Sequence, residues 1–536
     1  MTAAVLVAIL LTRLPTLSNP LTEAHAFRQT QTAWASLLFS QQGIDLLHPQ
    51  MPVFGPPFVM PLEFPLFQAL ASLLISVGGL GPDLADRLLA VFCFGAATIA
   101  VYRLGIRLSG RFVAVVATIC FAFSPFALMW SRASLIEFMA VALSLWGLET
   151  SLAAIMAHGR KRWLLALLGA VLGSAALAVK VTTGVFWLLP LFLVLLMRRE
   201  LFRSLGERLL LGAILLLIPA MVGGLWLEVS QQIRQQNLFA YAQNDQLAIS
   251  WYFGSLAQRL DPGTWSTIIG RVWMEIGGLC LPLLLLLAWS ERRHLSQGWQ
   301  KTVWVGLGGV ALAAPLVLVN VYFIHDYYLA AISPVIALFL GLGGLGIRRH
   351  WAKMWARMLA GTAGLAGLFV LATGCGLGGM AIISGLLLGL GLVLFFFWAR
   401  WRGRSRASRM ALLASGLLLP LLAIAATLGM ISTGGANYVS RAYFPPPDVQ
   451  APVAAQIDAL VPADHWVALI VLGPYADFWD PSYFYYAHRQ GLMIGPLTRS
   501  LGALKVACAD PRYVLLSMSA QYVVSRAACP DGAAIP

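Results

Sequence analysis

The sequence predicts a polytopic α-helical membrane protein, on three observations: composition, recurring membrane-length apolar stretches, and the placement of basic residues. Of 536 residues, 59% are hydrophobic and 11% charged, with a mean hydropathy of +0.79. Soluble domains run nearer a quarter charged. A helix needs about 20 mostly apolar residues to cross a bilayer, and such stretches recur along nearly the whole chain. The ten-residue alternation of membrane β-strands is absent from the sequence.

The net charge of +14 raises nucleic acid as a partner, but the positions of the charges exclude it. Arg103, Arg107 and Arg111, Arg160 to Arg162, Arg198 to Arg208, Arg292 to Lys301, Arg348 to Arg357 and Arg400 to Arg409 form successive clusters in short loops. They mark the cytoplasmic side by the positive-inside rule and suit contact with anionic membrane lipids.

With those clusters inside, spans fall near 1–14, 84–104, 112–130, 135–157, 163–179, 182–197, 208–227, 266–289, 302–322, 327–347, 357–374, 378–398 and 410–430, about thirteen in all. The opening stretch has no basic region before it and no small-x-small cleavage site after it, so it reads as a span and not a signal peptide. An odd count starting inside puts the C-terminal segment outside. Residues 1–430 then form the membrane domain, with outer loops at 15–83 and 228–265, and 431–536 form an outer domain. The apolar piece Pro61 to Leu80 must be juxtamembrane or re-entrant, because a full span there would put Arg103 to Arg111 outside.

Within the first outer loop, Phe27, Trp34 and Leu38 recur at helical spacing, which suits a helix over 23–43 lying in the interface. From His48 to Pro65 the chain is too proline-rich for regular structure. After Tyr443-Phe444-Pro445-Pro446-Pro447 the chain becomes less apolar. A helix over 449–460 and strands at 467–472 and 513–518 predict a small α/β domain. Cys93, Cys120, Cys280 and Cys375 read as small buried hydrophobes within spans. Cys508 and Cys529 share the outer domain and can pair in an oxidising periplasm.

On this topology Glu23, His25, Arg28, Glu63, Arg132, Glu137, Lys180, His325 and Asp326 all fall at or near outer ends of spans. Charge beside the hydrocarbon core is expensive, so such residues are functional candidates by default. Each also has a plainer role. Glu23 suits a helix N-terminus, Arg28 can snorkel to headgroups, Arg132 and Glu137 can steady their turn as an ion pair, and His325-Asp326-Tyr327-Tyr328 can belong to an aromatic belt. Lys180 stands alone in apolar sequence and calls for an anionic partner, such as a phosphate. Glycosyl transfer at a membrane needs a carboxylate base and cations on the departing phosphate. Glu23 or Glu63 suits the base; Lys180, Arg28 or Arg132 suits the phosphate. Glu23-x-His25 is too short to specify a metal. His25, Glu63 and His325 are the set that would ligate a divalent metal ion.

Five elements together resemble a known family: Thr22-Glu23-Ala24-His25, Leu62-Glu63-Phe64-Pro65-Leu66-Phe67, Ser131-Arg132 with Glu137, Lys180-x-Thr182-x-Gly184, and His325-Asp326-Tyr327-Tyr328 with Ser333-Pro334. They resemble the bacterial lipid-linked-sugar glycosyltransferases of the GT-C class, related to protein O-mannosyltransferases and the aminoarabinose transferase of lipid A. The likeness covers roughly 1–350. It implies an inverting enzyme of the bacterial inner membrane that takes a hexose or pentose from a polyprenyl-phosphate donor on the periplasmic face, where the C-terminal domain also lies. The acceptor it implies is a hydroxyl of a lipid, glycan or protein. By analogy Glu23 stands at the first-loop catalytic acid, Glu63 at a second acidic position, and Lys180 at the lysine that meets the lipid phosphate. Arg28, Arg132, His25, Glu137, His325, Asp326 and Tyr328 complete the substrate and phosphate site. Thr22 replaces the mannosyltransferase aspartate, and Glu63-Phe64-Pro65 replaces a Glu-Lys-Pro element, removing one phosphate-binding lysine. The rival reading is a transporter or flippase of lipid-linked sugars. Such proteins show internal repeats and mid-membrane polar residues, whereas here no repeat is evident and the polar residues collect at one face.

Overall fold

The computed structural model describes residues 2–245, 248–278, 298–348, 449–472 and 479–529, with isolated positions at 281, 285, 288, 291, 442 and 443. Among the described residues, five helices are long and apolar enough to cross a membrane: Pro82–Ser109, Glu137–Met156, Gly159–Val179, Leu205–Arg234 and Gly298–Val317. Shorter apolar helices lie at Ala4–Thr16, Leu66–Ser76, Arg111–Phe123, Val181–Met197 and Ser333–Arg348. The spans expected at 357–374, 378–398 and 410–430 lie outside the described residues, as does much of 279–289.

Several expected spans are broken. The 112–130 stretch divides at Ser124-Pro125, where the Ser124 hydroxyl accepts from Ala127 N–H and starts a new helix, Pro125–Trp130. The 302–322 stretch breaks after Val317, two residues beyond Pro315, whose ring cannot continue the ladder. The 327–347 stretch opens as a 3-10 turn, Asp326–Ala331. Stacked and edge-on contacts among Phe94, Phe121 and Phe138, with ring centroids 4.8 to 6.2 Å apart, tie three of these helices together.

The break that matters for function is at Lys180. The Gly159–Val179 helix ends there with φ −157° and ψ 92°, and the chain resumes as Val181–Trp187. Gly184 permits the two pieces to pack closely, since a Cβ at that position would lie 3.1 Å from the Ala176 carbonyl. Ending a helix leaves carbonyls without partners. Phe64 N–H fills one of them, donating to Ala178 O at 3.0 Å, and so brings the first loop to the break.

The helix expected over 23–43 forms as Ala26–Gln42, but it does not lie on a lipid surface. Gln29, Thr30, Thr32, Ala33 and Ser36 are fully buried, because the 131–134 turn and the C-terminal segment cover it. Ser134 N–H donates to Gln29 Oε1 at 3.1 Å, and the Tyr485 ring meets Trp34 at 6.5 Å.

The C-terminal segment carries the helix Gln450–Leu460 and strands β1 (Trp466–Val471), β2 (Gly491–Ile494), β3 (Tyr513–Met518) and β4 (Val524–Arg526), in the order β2-β1-β3-β4. β1 runs parallel to β2 and β3, and β4 is antiparallel to β3. Cys508 and Cys529 are bonded, with Cα atoms 5.8 Å apart. The proline-rich loop has more order than its composition predicts, because it adds to the free edge of β2. Gly491 N–H donates to Pro52 O at 2.7 Å, Met493 N–H to Val53 O at 2.9 Å, and Gly55 N–H to Gly491 O at 2.7 Å. Tyr485 and Tyr486 also donate to the two oxygens of Asp83, at the start of the Pro82–Ser109 helix.

Candidate functional site

The polar residues singled out in the sequence divide into two groups with different surroundings. Glu23 and Arg132 form the first. Arg132 donates from Nη1 to Glu23 Oε1 at 2.9 Å and from Nη2 to Oε2 at 2.7 Å, and Arg87 Nη2 donates to Oε1 at 2.7 Å. The two guanidiniums also bind main chain: Arg87 reaches Asn19 O and Pro20 O, and Arg132 reaches Ala442 O. Both arginine side chains are fully buried, and that of Glu23 keeps 1% exposure.

With both oxygens bonded to guanidiniums, Glu23 ties the first loop to the Pro82–Ser109 helix and to the 131–134 turn. One expectation is corrected: Arg132 and Glu137 do not pair with each other, because Glu137 pairs with Lys180 instead.

The second group gathers around the helix break. Lys180 Nζ donates to Glu137 Oε1 and lies over the rings of Tyr328 and Tyr327, 4.2 and 5.4 Å from their centroids. A cation over an aromatic face gains from the ring quadrupole, more so where water is scarce. Arg28 Nη2 donates to Glu63 Oε2 at 2.9 Å, and Gln68 Nε2 donates to Glu63 Oε1 at 3.1 Å. His25 Nε2 lies 3.1 Å from Asp326 Oδ1. The His25 ring has Tyr327 and His325 at 5.0 Å and Trp130 at 5.6 Å.

His25 is itself unusual, preceding the Ala26–Gln42 helix in the left-handed region with φ 48° and ψ 46°. Its carbonyl accepts from Arg28 N–H, which sets ring and guanidinium one helical turn apart. Tyr252, on the short helix Ala248–Phe253, joins from the 228–265 segment. Burial, then Tyr328, raises its hydroxyl above the usual value, against the pull of Arg28 and Lys180. Burial and then His25 hold His325 down at about 3, so its ring stays neutral.

Lys180, Arg28, Glu63, Glu137, His25, Asp326, His325 and Tyr328 thus come together from five separate stretches of sequence. The set His25, Glu63 and His325 does not assemble as metal ligands, and no group of three or more His, Cys, Asp or Glu among the described residues does. Glu63 turns to Arg28 and Gln68, and His25 turns to Asp326.

Sequence reasoning passed over Arg87, Gln68, Tyr252 and Tyr327. Arg87 carried a signal, since Asp86-Arg87 is a charged pair at the start of an expected span. Tyr327 adjoins a residue already chosen. Gln68 and Tyr252 carry no comparable mark.

Fold and site together define a multi-pass helical membrane protein with a buried cationic and aromatic cluster where its loops meet its helix ends. Its fold is GT-C-like. No family model and no curated protein matches the chain. Solved structures do. ArnT from Cupriavidus metallidurans bound to undecaprenyl phosphate is similar over 97% of this chain and 92% of its own, at 14% identity and a TM-score of 0.59. The archaeal oligosaccharyltransferase AglB from Archaeoglobus fulgidus, in complex with an inhibitory peptide and a dolichol-phosphate, is similar over 92% of this chain and 64% of its own, at 12% identity and a TM-score of 0.53.

Proposed function

We propose that this chain is a membrane glycosyltransferase that moves a sugar from a polyprenyl-phosphate donor to a hydroxyl of a cell-envelope acceptor: lipid A or lipopolysaccharide, another polysaccharide, or a protein. The observation that carries this reading is the pair of cations, Lys180 and Arg28, brought to one aromatic-walled cluster in a GT-C-like fold. Each has a carboxylate partner, Glu137 and Glu63, that keeps it in place before a phosphate arrives. A phosphate oxygen then competes for the same N–H donors, and the cations stabilise the charge that develops as the carrier departs. One displacement at the anomeric carbon inverts its configuration. The Cys508–Cys529 bond supports a C-terminal segment on the oxidising, periplasmic side of a bacterial inner membrane.

The experiment is to incubate the purified protein with synthetic polyprenyl-phosphate pentoses and hexoses and an envelope fraction as acceptor, and to measure polyprenyl phosphate released. Release by the wild type, lost in Lys180→Ala, supports the reading. A wild-type protein that neither binds polyprenyl phosphate nor releases it sinks the reading. Mass spectrometry of lipopolysaccharide and glycoproteins from a deletion strain then identifies the acceptor.

A further inference from the structure

We propose that His25, oriented by Asp326, is the base that takes the proton from the acceptor hydroxyl; the assignment rests on the glycosyltransferase reading above. Glu23 accepts from two guanidiniums, Glu63 from Arg28 and Gln68, and Glu137 from Lys180. For Glu23 and Glu63, hydrogen bonds already engage both oxygens, so a substrate hydroxyl would compete there with a cation or an amide, and Glu137 Oε2, which has no partner, is sealed by burial. The imidazole of His25 carries no such cost.

Asp326 as a carboxylate only accepts, so Nε2 of His25 carries the proton in the 3.1 Å contact and Nδ1 keeps its lone pair. No hydrogen bond among the described residues engages Nδ1, and the side chain keeps 23% exposure. His325 is not an equivalent alternative, being 5% exposed with its own Nδ1 sealed. The groups facing His25 are Asp326, His325 and Tyr327 from the 325–331 segment, Trp130 from the Pro125–Trp130 helix and Phe27 on its own helix. Only Asp326 among them is an anion. Arg28, one turn along, is held by Glu63. A base oriented by a carboxylate on its far nitrogen is a recurring arrangement for activating a hydroxyl.

In the step assigned here, the acceptor O–H bond breaks and its proton passes to Nδ1, giving an imidazolium that Asp326 stabilises. The oxygen electron pair forms the new bond to the anomeric carbon. The bond from that carbon to the phosphate oxygen breaks, and its pair leaves with polyprenyl phosphate. His25 afterwards returns the proton to water.

The test uses the full-length protein in detergent with a polyprenyl-phosphate sugar that the wild type turns over. Asn and Gly both tolerate the left-handed backbone at position 25, so His25→Asn and His25→Gly keep the turn. The expected result is a kcat lower by about 100-fold or more in both, as for loss of a general base, with donor KM and polyprenyl phosphate Kd unchanged. Added imidazole restores part of the turnover in His25→Gly. Asp326→Asn lowers kcat with KM unchanged. Wild-type turnover in His25→Gly, or lost turnover that imidazole does not restore, overturns the assignment alone. A wild-type protein that neither binds nor releases polyprenyl phosphate overturns the glycosyltransferase reading, and the assignment with it.

Discussion

Arg132 and Glu23 form a buried two-bond ion pair 109 residues apart in sequence, and Arg87 completes it from a third element. Two guanidiniums share one carboxylate there. Removing the carboxylate leaves both cations buried without their anion, which typically costs about 3–5 kcal/mol. Glu23→Ala is therefore expected to shorten the half-life of the folded protein in detergent sharply. An unchanged half-life would show that the tie does not hold the loop.

Lys180 is expected to behave differently, because its pair stands at the cluster proposed to hold the substrate. Losing a charge-assisted bond of about 1.5–3 kcal/mol corresponds to roughly a 10- to 100-fold weaker Kd for polyprenyl phosphate in Lys180→Met. Titration of the purified variant measures it. Lys180→Arg should recover only part of the affinity, since a fork replaces a point charge.

Gly491 lies where β2, β1 and the first loop meet. A Cβ at that position would stand 1.8 Å from Val467 O, a backbone atom with no freedom to retreat. Gly491→Ala should therefore open both the β1–β2 pairing and the contact with Pro52. Limited proteolysis between 472 and 529 provides the measurement, and wild-type resistance in the variant would contradict the packing described.

The Cys508–Cys529 bond closes a loop with a sequence separation of 21. On the chain-entropy account a loop of that size is worth about 3 kcal/mol. Cys508→Ser with Cys529→Ser is expected to lower the unfolding temperature of the C-terminal sheet while leaving polyprenyl phosphate affinity in place. A loss of affinity would mean that the sheet also shapes the cluster.

The sequence made Lys180 legible because a lone charge in apolar surroundings has few explanations, and the structure puts it in a helix break beside an anion. The strands at 466–471 and 513–518 were legible from alternation with polar turns. What stayed hidden depends on contacts distant in sequence. Helical spacing of Phe27, Trp34 and Leu38 marks an apolar face without saying whether lipid or protein covers it. The identity of a carboxylate's partner is equally invisible, which is why Glu23 reads as a base in sequence and as a tie in the structure. The proline-rich residues 52–55 show no strand pattern of their own, because β2 supplies the geometry they adopt.

That edge pairing has a consequence for synthesis. Residues 52–55 leave the ribosome more than four hundred residues before Gly491, their partner. At about 5–20 residues per second the wait is roughly 20 to 90 seconds. For that time the edge-pairing residues of the first loop have to be kept from other strand edges.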